Sequence, residues 1–241
     1  MTEWLPSGRV PQARGFRPPA VGVPGGVPGP PDEVRPRAPL FFLSHAHAMH
    51  RDEPNQRVVK FFEDLSEDVA ELVGRPAGSD PGFIDRSMAA GARWSTELLA
   101  AIGSCKVFVA LLSDPYVTSP WCGMEWYAFS RREVTKNAWA SSGNETGIIP
   151  VLWTPVPNYR LPRVVGEVQR FSPRGLPDVN IPARYAAEGV YGLMLMGQET
   201  LYRGVVWRLA QSIAEFHFGY EVTPLVLGQD DLHDIFRENP S

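Results

Sequence analysis

Cysteine is nearly absent from this chain: Cys105 and Cys122 are the only two in 241 residues. Two thiols cannot build a disulfide scaffold, and such sparing use suits a reducing cytoplasm. Histidine is almost as scarce, at five. No run of 18 apolar residues occurs, so no membrane-spanning helix is expected. The basic-then-apolar pattern of a secretory signal is missing from the first residues. Neither charge sign dominates: 23 Lys and Arg against 27 Asp and Glu give −4, with no global pull toward nucleic acid.

What the chain does have is an ordinary globular composition, 44% hydrophobic and 21% charged, unevenly spread. Ten of its 24 prolines and six of its 22 glycines fall within residues 1–39. A stretch so rich in both cannot build helix or sheet, so residues 1–39 read as a disordered arm with polyproline character. Residues 40–220 then form one folded domain by size. After Thr223-Pro224 the chain turns acidic, and residues 221–241 read as a loose tail.

Leu40-Phe41-Phe42-Leu43, stopped by Ser44, is the pattern of a short strand buried on both faces. Val58, Phe62, Leu65, Val69 and Leu72 make one apolar helical stripe, closed by Gly74 and Pro76. Gly82-Phe83-Ile84-Asp85 reads as a brief strand with an acidic end, and residues 94–102 as a helix. Residues 106–112 are apolar without alternation, which places them in the middle of a parallel sheet. Ser119-Pro120 opens a helix with a serine cap and a first-turn proline. Residues 148–153 form another strand, in which Pro150 favours an edge or bulged position. A strand is conceivable at residues 168–171, and Tyr202 to Phe216 follow helical spacing. Strand alternating with helix predicts a parallel sheet with helices on both faces, and ligands gather at the carboxyl ends of such strands.

Three constellations there invite chemistry. Ser44-His45-Ala46-His47-Ala48-Met49-His50 first suggests a metal, but Met49 stands where an acidic ligand would be needed, and the other histidines, His217 and His233, are far along the chain. Cys122, in the first turn of a helix, has the dipole that activates a thiol, yet no cysteine-hydrolase signature surrounds it, and a small packed thiol is the better reading. Glu125 lies one turn further on, among Trp121, Cys122, Met124, Trp126 and Phe129. A carboxylate in that company is paired, exposed or functional.

The run from Leu111 through Ser113-Asp114-Pro115-Tyr116 to Ser119-Pro120-Trp121-Cys122-Gly123-Met124-Glu125 closely resembles the third strand and following helix of TIR domains. Those read as an apolar strand, Ser-x-x-Tyr, then Ser-x-Trp-Cys-x-x-Glu. Phe41-Phe42-Leu43-Ser44-His45 resembles the first TIR strand, Phe83-Ile84-Asp85 the second, residues 86–93 the BB loop and Ile148-Ile149-Pro150-Val151 the fourth strand. The resemblance covers about residues 40–218. It looks most like the TIR-like branch that accompanies FxSxx-COOH ribosomal-peptide gene clusters.

The resemblance implies an α/β, flavodoxin-like fold with a parallel five-stranded sheet. Many TIR domains cleave the nicotinamide–ribose bond of NAD, giving ADP-ribose or a cyclic variant; NAD is then a substrate, with no cofactor and no metal. Their essential carboxylate corresponds to Glu125. Substrate contacts would come from Ser44, His45, Asp85, Arg86, Trp94 and Trp121, with an indole stacking on a base. Other TIR domains are non-catalytic modules that self-associate through the BB loop. That alternative implies a second copy, or proteins of the same gene cluster, as partners, and neither nucleic acid nor membrane. The departure here is His45-Ala46-His47-Ala48, where many of the enzymes carry arginine or glycine.

Overall fold

The structure, a computed structural model, describes residues 38–46, 55–75, 80–85, 95–140, 144–176 and 178–237. Residues 1–37 of the expected arm therefore lie outside the description. Strand β1 (Phe41–Ser44) leads to helix α1 (Gln56–Val73), β2 (Gly82–Ile84), α2 (Thr96–Ser104) and β3 (Val107–Leu112). Two helices follow in close succession, α3 (Asp114–Val117) and α4 (Pro120–Ser130), then β4 (Val134–Lys136) and β5 (Ile148–Leu152). After a 3-10 turn at Asn158–Arg160 come α5 (Arg163–Gly166), α6 (Ile181–Leu195), α7 (Glu199–Gly219) and β6 (Tyr220–Val222).

Strands β1, β2, β3 and β5 form one parallel sheet in the order β2-β1-β3-β5, an α/β arrangement of flavodoxin type. Alternation along β1 divides its residues between two helical layers. Phe41 meets Phe62 of α1 on one face, with ring centres 5.7 Å apart. On the other face Phe83, Phe42 and Phe108 stack in a row across three strands, and Trp126 and Phe129 of α4 close over Phe108. Helix α1 packs against α7, where Tyr202 donates to Asp64 (2.5 Å) and Arg203 pairs with Asp68 (2.9 Å).

Helix α1 ends at Gly74 in the left-handed region (φ 65°), as its sequence predicts, and begins at Asn55, whose side chain accepts from the Arg57 N–H. The continuous apolar run of β3 is buried at every position. Edge strand β5 accommodates Pro150 because that residue's backbone polar atoms face away from β3: its carbonyl accepts from the Phe171 N–H (2.9 Å).

The sheet has four strands among the described residues, not five. Residues 168–171, the expected additional strand, make that one bond to β5 and no ladder; Pro155, Pro157, Pro162 and Pro173 interrupt the flanking chain. The antiparallel pair β4–β6 and helix α6 were not anticipated by the sequence pattern. Gly189 breaks α6 with φ 64° and ψ 178°, and a side chain there would strike the Trp153 carbonyl. Gly189→Ala is expected to lower stability by about 2 kcal/mol or more. The readout is a lower urea midpoint at unchanged slope.

Residues 223–237, expected to be loose, instead run along α2 and α4. The Leu225 N–H bonds the Gly103 carbonyl at 2.9 Å, Leu227 is buried, and Phe236 rests against Tyr116 and Trp126. At the start of this path the buried Arg132 side chain, just beyond α4, donates to the carbonyls of Ile102, Cys105 and Thr223. No helix among the described residues is long and apolar enough to cross a membrane.

Candidate functional site

The chain leaves β1 for β2 on one side and returns on the other side of β1 as β3. The carboxyl ends of β1 and β3 therefore flank the topological switch point, the place where ligands collect in open α/β sheets. Ser44 ends β1, opposite Ala110 of β3, and Asp85 directly follows β2. Past β3, Ser113 caps α3 by accepting from the Tyr116 N–H (3.2 Å), and Ser119 caps α4 by accepting from the Cys122 N–H (3.4 Å). With Pro115 and Pro120 in the first turns, these caps fold the chain into two short consecutive helices. The first brings Tyr116, and the second Glu125, over the end of β1.

Three side chains meet there. Ser44 donates its hydroxyl hydrogen to Oε2 of Glu125, and its oxygen lies 3.0 Å from the Tyr116 hydroxyl. When Glu125 is ionised, the one Ser44 hydrogen goes to the carboxylate and Tyr116 is the donor to Ser44. All three are buried; Glu125 is 5% exposed.

Burial dominates the electrostatics. It pushes the Glu125 carboxyl up to about 8, with the nearby Asp85 charge adding to the rise and the Ser44 hydrogen bond opposing it. The Tyr116 phenol is held well above its ordinary range, again by burial first and then by Cys122 and Glu125. Cys122 is likewise raised by burial and by Glu125 against the hydrogen bonds of Ser119 and Ser44. A thiol so placed stays protonated, which makes it a packed residue rather than a nucleophile. Asp85 is itself buried, so two carboxyl groups share one low-dielectric corner.

The structure thus brings together Glu125, Ser44 and Asp85 of the predicted residues and adds Tyr116. The Ser113-x-x-Tyr116 spacing was visible in the sequence, but the meeting of Tyr116 with β1 was not. His45 is buried beside Ser44, with Nδ1 3.3 Å from the Ala46 carbonyl oxygen. Trp121, at the start of α4, is partly buried against the core. Arg86 and Trp94 lie outside the described residues, as do His47 and His50. No group of three or more His, Cys, Asp or Glu among the described residues is placed to hold a metal.

Chemically, the corner offers a carboxyl group whose ionisation falls near neutral pH, a hydroxyl that orients it, and a second acid beside it. Such a group can stabilise positive charge developing on a sugar ring once ionised. In comparison with known families, residues 41–178, more than half of the chain, match the family described as TIR domain. No curated protein and no solved structure matches the chain.

Proposed function

The chain belongs to the TIR domain family, and from that premise we propose that it hydrolyses NAD at the nicotinamide–ribose bond, with Glu125 as the catalytic carboxylate. The observation that supports this is the Glu125 carboxyl, buried at the switch point and oriented by Ser44. In this reading the C1′–N bond breaks, its electron pair leaves on neutral nicotinamide, and the ribose acquires oxocarbenium character that the carboxylate stabilises. Water adds to C1′ and loses a proton, giving ADP-ribose; attack by the adenine ring would give the cyclic product. Trp121, His45 and Asp85, with Arg86 and Trp94, are the proposed substrate contacts, and assembly of several copies is the proposed trigger.

The raised carboxyl gives this reading a pH signature. In the free protein Glu125 is mostly protonated at pH 7, whereas the cationic nicotinamide ring of bound NAD favours the anion. We expect kcat/KM to climb with pH and level off above about 8, and kcat to level at a lower pH. The experiment is incubation of concentrated protein with NAD while nicotinamide release is followed by chromatography. Release with that profile is the expected result; no release from concentrated or self-associated protein contradicts the proposal.

A second reading, a non-catalytic signalling module serving a peptide-modification system, is favoured by one observation: the Glu125–Ser44 bond lies inside the core, where a purely structural acid also sits. Capture of a protein from such a cluster that survives Glu125→Ala and fails when residues 86–93 are altered would favour this reading.

A further inference from the structure

Tyr116 is held on both sides. Its hydroxyl reaches Ser44, while its ring meets Phe236 with centres 5.9 Å apart. Phe236 also meets Trp126 of α4 at 5.9 Å, edge to face, so one side chain is wedged between the helix that carries Tyr116 and the helix that carries Glu125. The wedge is fixed by its own neighbours. The Phe236 N–H bonds the Asp234 carboxylate at 3.0 Å, and Arg237 pairs with that same group at 3.2 Å. Asp234 lies against Gly123, where any side chain would strike its carboxylate, and the His233 ring packs 3.5 Å from that of Tyr127. Gly123, Trp126 and Tyr127 thus make one face of α4, and residues 233–237 lie on it.

The consequence follows from the chain of hydrogen bonds that joins the three side chains. The Tyr116 hydroxyl is hydrogen-bonded to that of Ser44, and Ser44 to the Glu125 carboxyl. Any swing of the Tyr116 ring breaks the first bond and loosens the second. Any drift of α4 moves Glu125 directly. Phe236 blocks both motions and keeps water from the back of the phenol. We propose that Phe236 is a positioning residue for Glu125, acting through Tyr116 and Trp126, so that the C-terminal segment forms the rear wall of the site. The role assigned here rests on Glu125 as the reacting group for its effect on rate, but not for its effect on the carboxyl itself.

Besides burial, the groups that act on the Glu125 carboxyl are Ser44 from β1 and Asp85 after β2; Glu125 in turn raises Tyr116 of α3 and Cys122 of its own helix, and Asp234 of the C-terminal segment acts on Cys122. None of these is altered by Phe236→Ala, which opens a gap behind Tyr116 and admits water. In the full-length chain, Phe236→Ala is expected to move the carboxyl midpoint of Glu125, followed by NMR with 13C-labelled glutamate, down by about one unit or more. Its far-UV circular dichroism stays that of the parent, and Phe236→Tyr restores the midpoint. For nicotinamide release kcat falls about tenfold with little change in KM. Gly123→Leu, which displaces Asp234 while leaving Phe236 in the chain, shifts the midpoint the same way and decides the matter if Phe236→Ala does not fold. An unchanged Glu125 midpoint in the folded variants overturns the proposal. A protein that releases no nicotinamide at all overturns the NAD reading instead, and the titration still decides the role of Phe236.

Discussion

Glu125→Gln is expected to reduce nicotinamide release about 100-fold or more while making the fold more stable at pH 8. The first effect is the loss of the carboxylate proposed to offset positive charge on the ribose; glutamine keeps the size and an acceptor for Ser44 but carries no charge. The second follows from proton linkage. The folded carboxyl is raised from an ordinary 4.5 to about 8, so between those values the folded chain holds a proton that the unfolded chain has released. Stability of the parent protein therefore falls as pH rises from about 4.5 to about 8, then levels. Glutamine has no proton to lose. Urea unfolding at pH 5 and pH 8 should show the variant gaining on the parent by a few kcal/mol across that interval. Parallel pH dependences would mean that the carboxyl is ordinary. Opposite changes in activity and stability are the mark of a residue retained for chemistry.

Arg132→Met is expected to destabilise the protein by about 3–5 kcal/mol. Among the described residues the Arg132 guanidinium has no carboxylate partner; it donates to the Ile102 carbonyl of α2, to the Cys105 carbonyl just after it, and to the Thr223 carbonyl beyond β6. The Cys105 thiol beside it is pushed up to about 12 by burial and stays neutral. Burial in turn lowers the guanidinium, though it remains charged at any ordinary pH. Methionine fills the space along Phe129 but donates nothing, so several buried carbonyls lose their hydrogen bonds together. Arg132→Lys, with a single ammonium in place of the fork, should recover only part of the loss. Because Arg132 fixes the root of the C-terminal segment, the methionine variant should also show faster amide hydrogen exchange at Leu225 and Phe236. Equal stability of parent and Arg132→Met would refute this account of the junction.

The sequence made legible those parts of the fold whose cause is local. The unbroken apolar run of β3, the stripe of α1 with its Gly74 end, and the Ser119-Pro120 start of α4 each carry their structure in adjacent residues. Helix α6 did not, because Pro182 and Gly189 read as breakers while tertiary contacts decide the element: the Tyr191 N–H reaches the Trp153 carbonyl across the break. The docked C-terminal segment was equally hidden. Leu225, Leu227, Leu232 and Phe236 have no helical or strand period, and their partners lie on α2 and α4, far along the chain. In the site, Ser44 and Asp85 were readable as polar residues at the ends of apolar strands, and Glu125 as a lone carboxylate within an apolar, aromatic helix. Tyr116 was readable only as the tyrosine of the Ser-x-x-Tyr pattern, since its contact with Ser44 depends on α3 crossing the end of β1.

The central claim is that Glu125 is a buried acid whose proton leaves near pH 8, which suits it to the positive charge proposed to develop on the ribose. It is tested most directly by titrating the 13C-labelled glutamate carboxyls of the intact protein, with the Glu125 signal identified by its loss in Glu125→Gln. A midpoint near 8 is predicted. A midpoint near the ordinary 4.5 would place the carboxyl in contact with water and contradict the account.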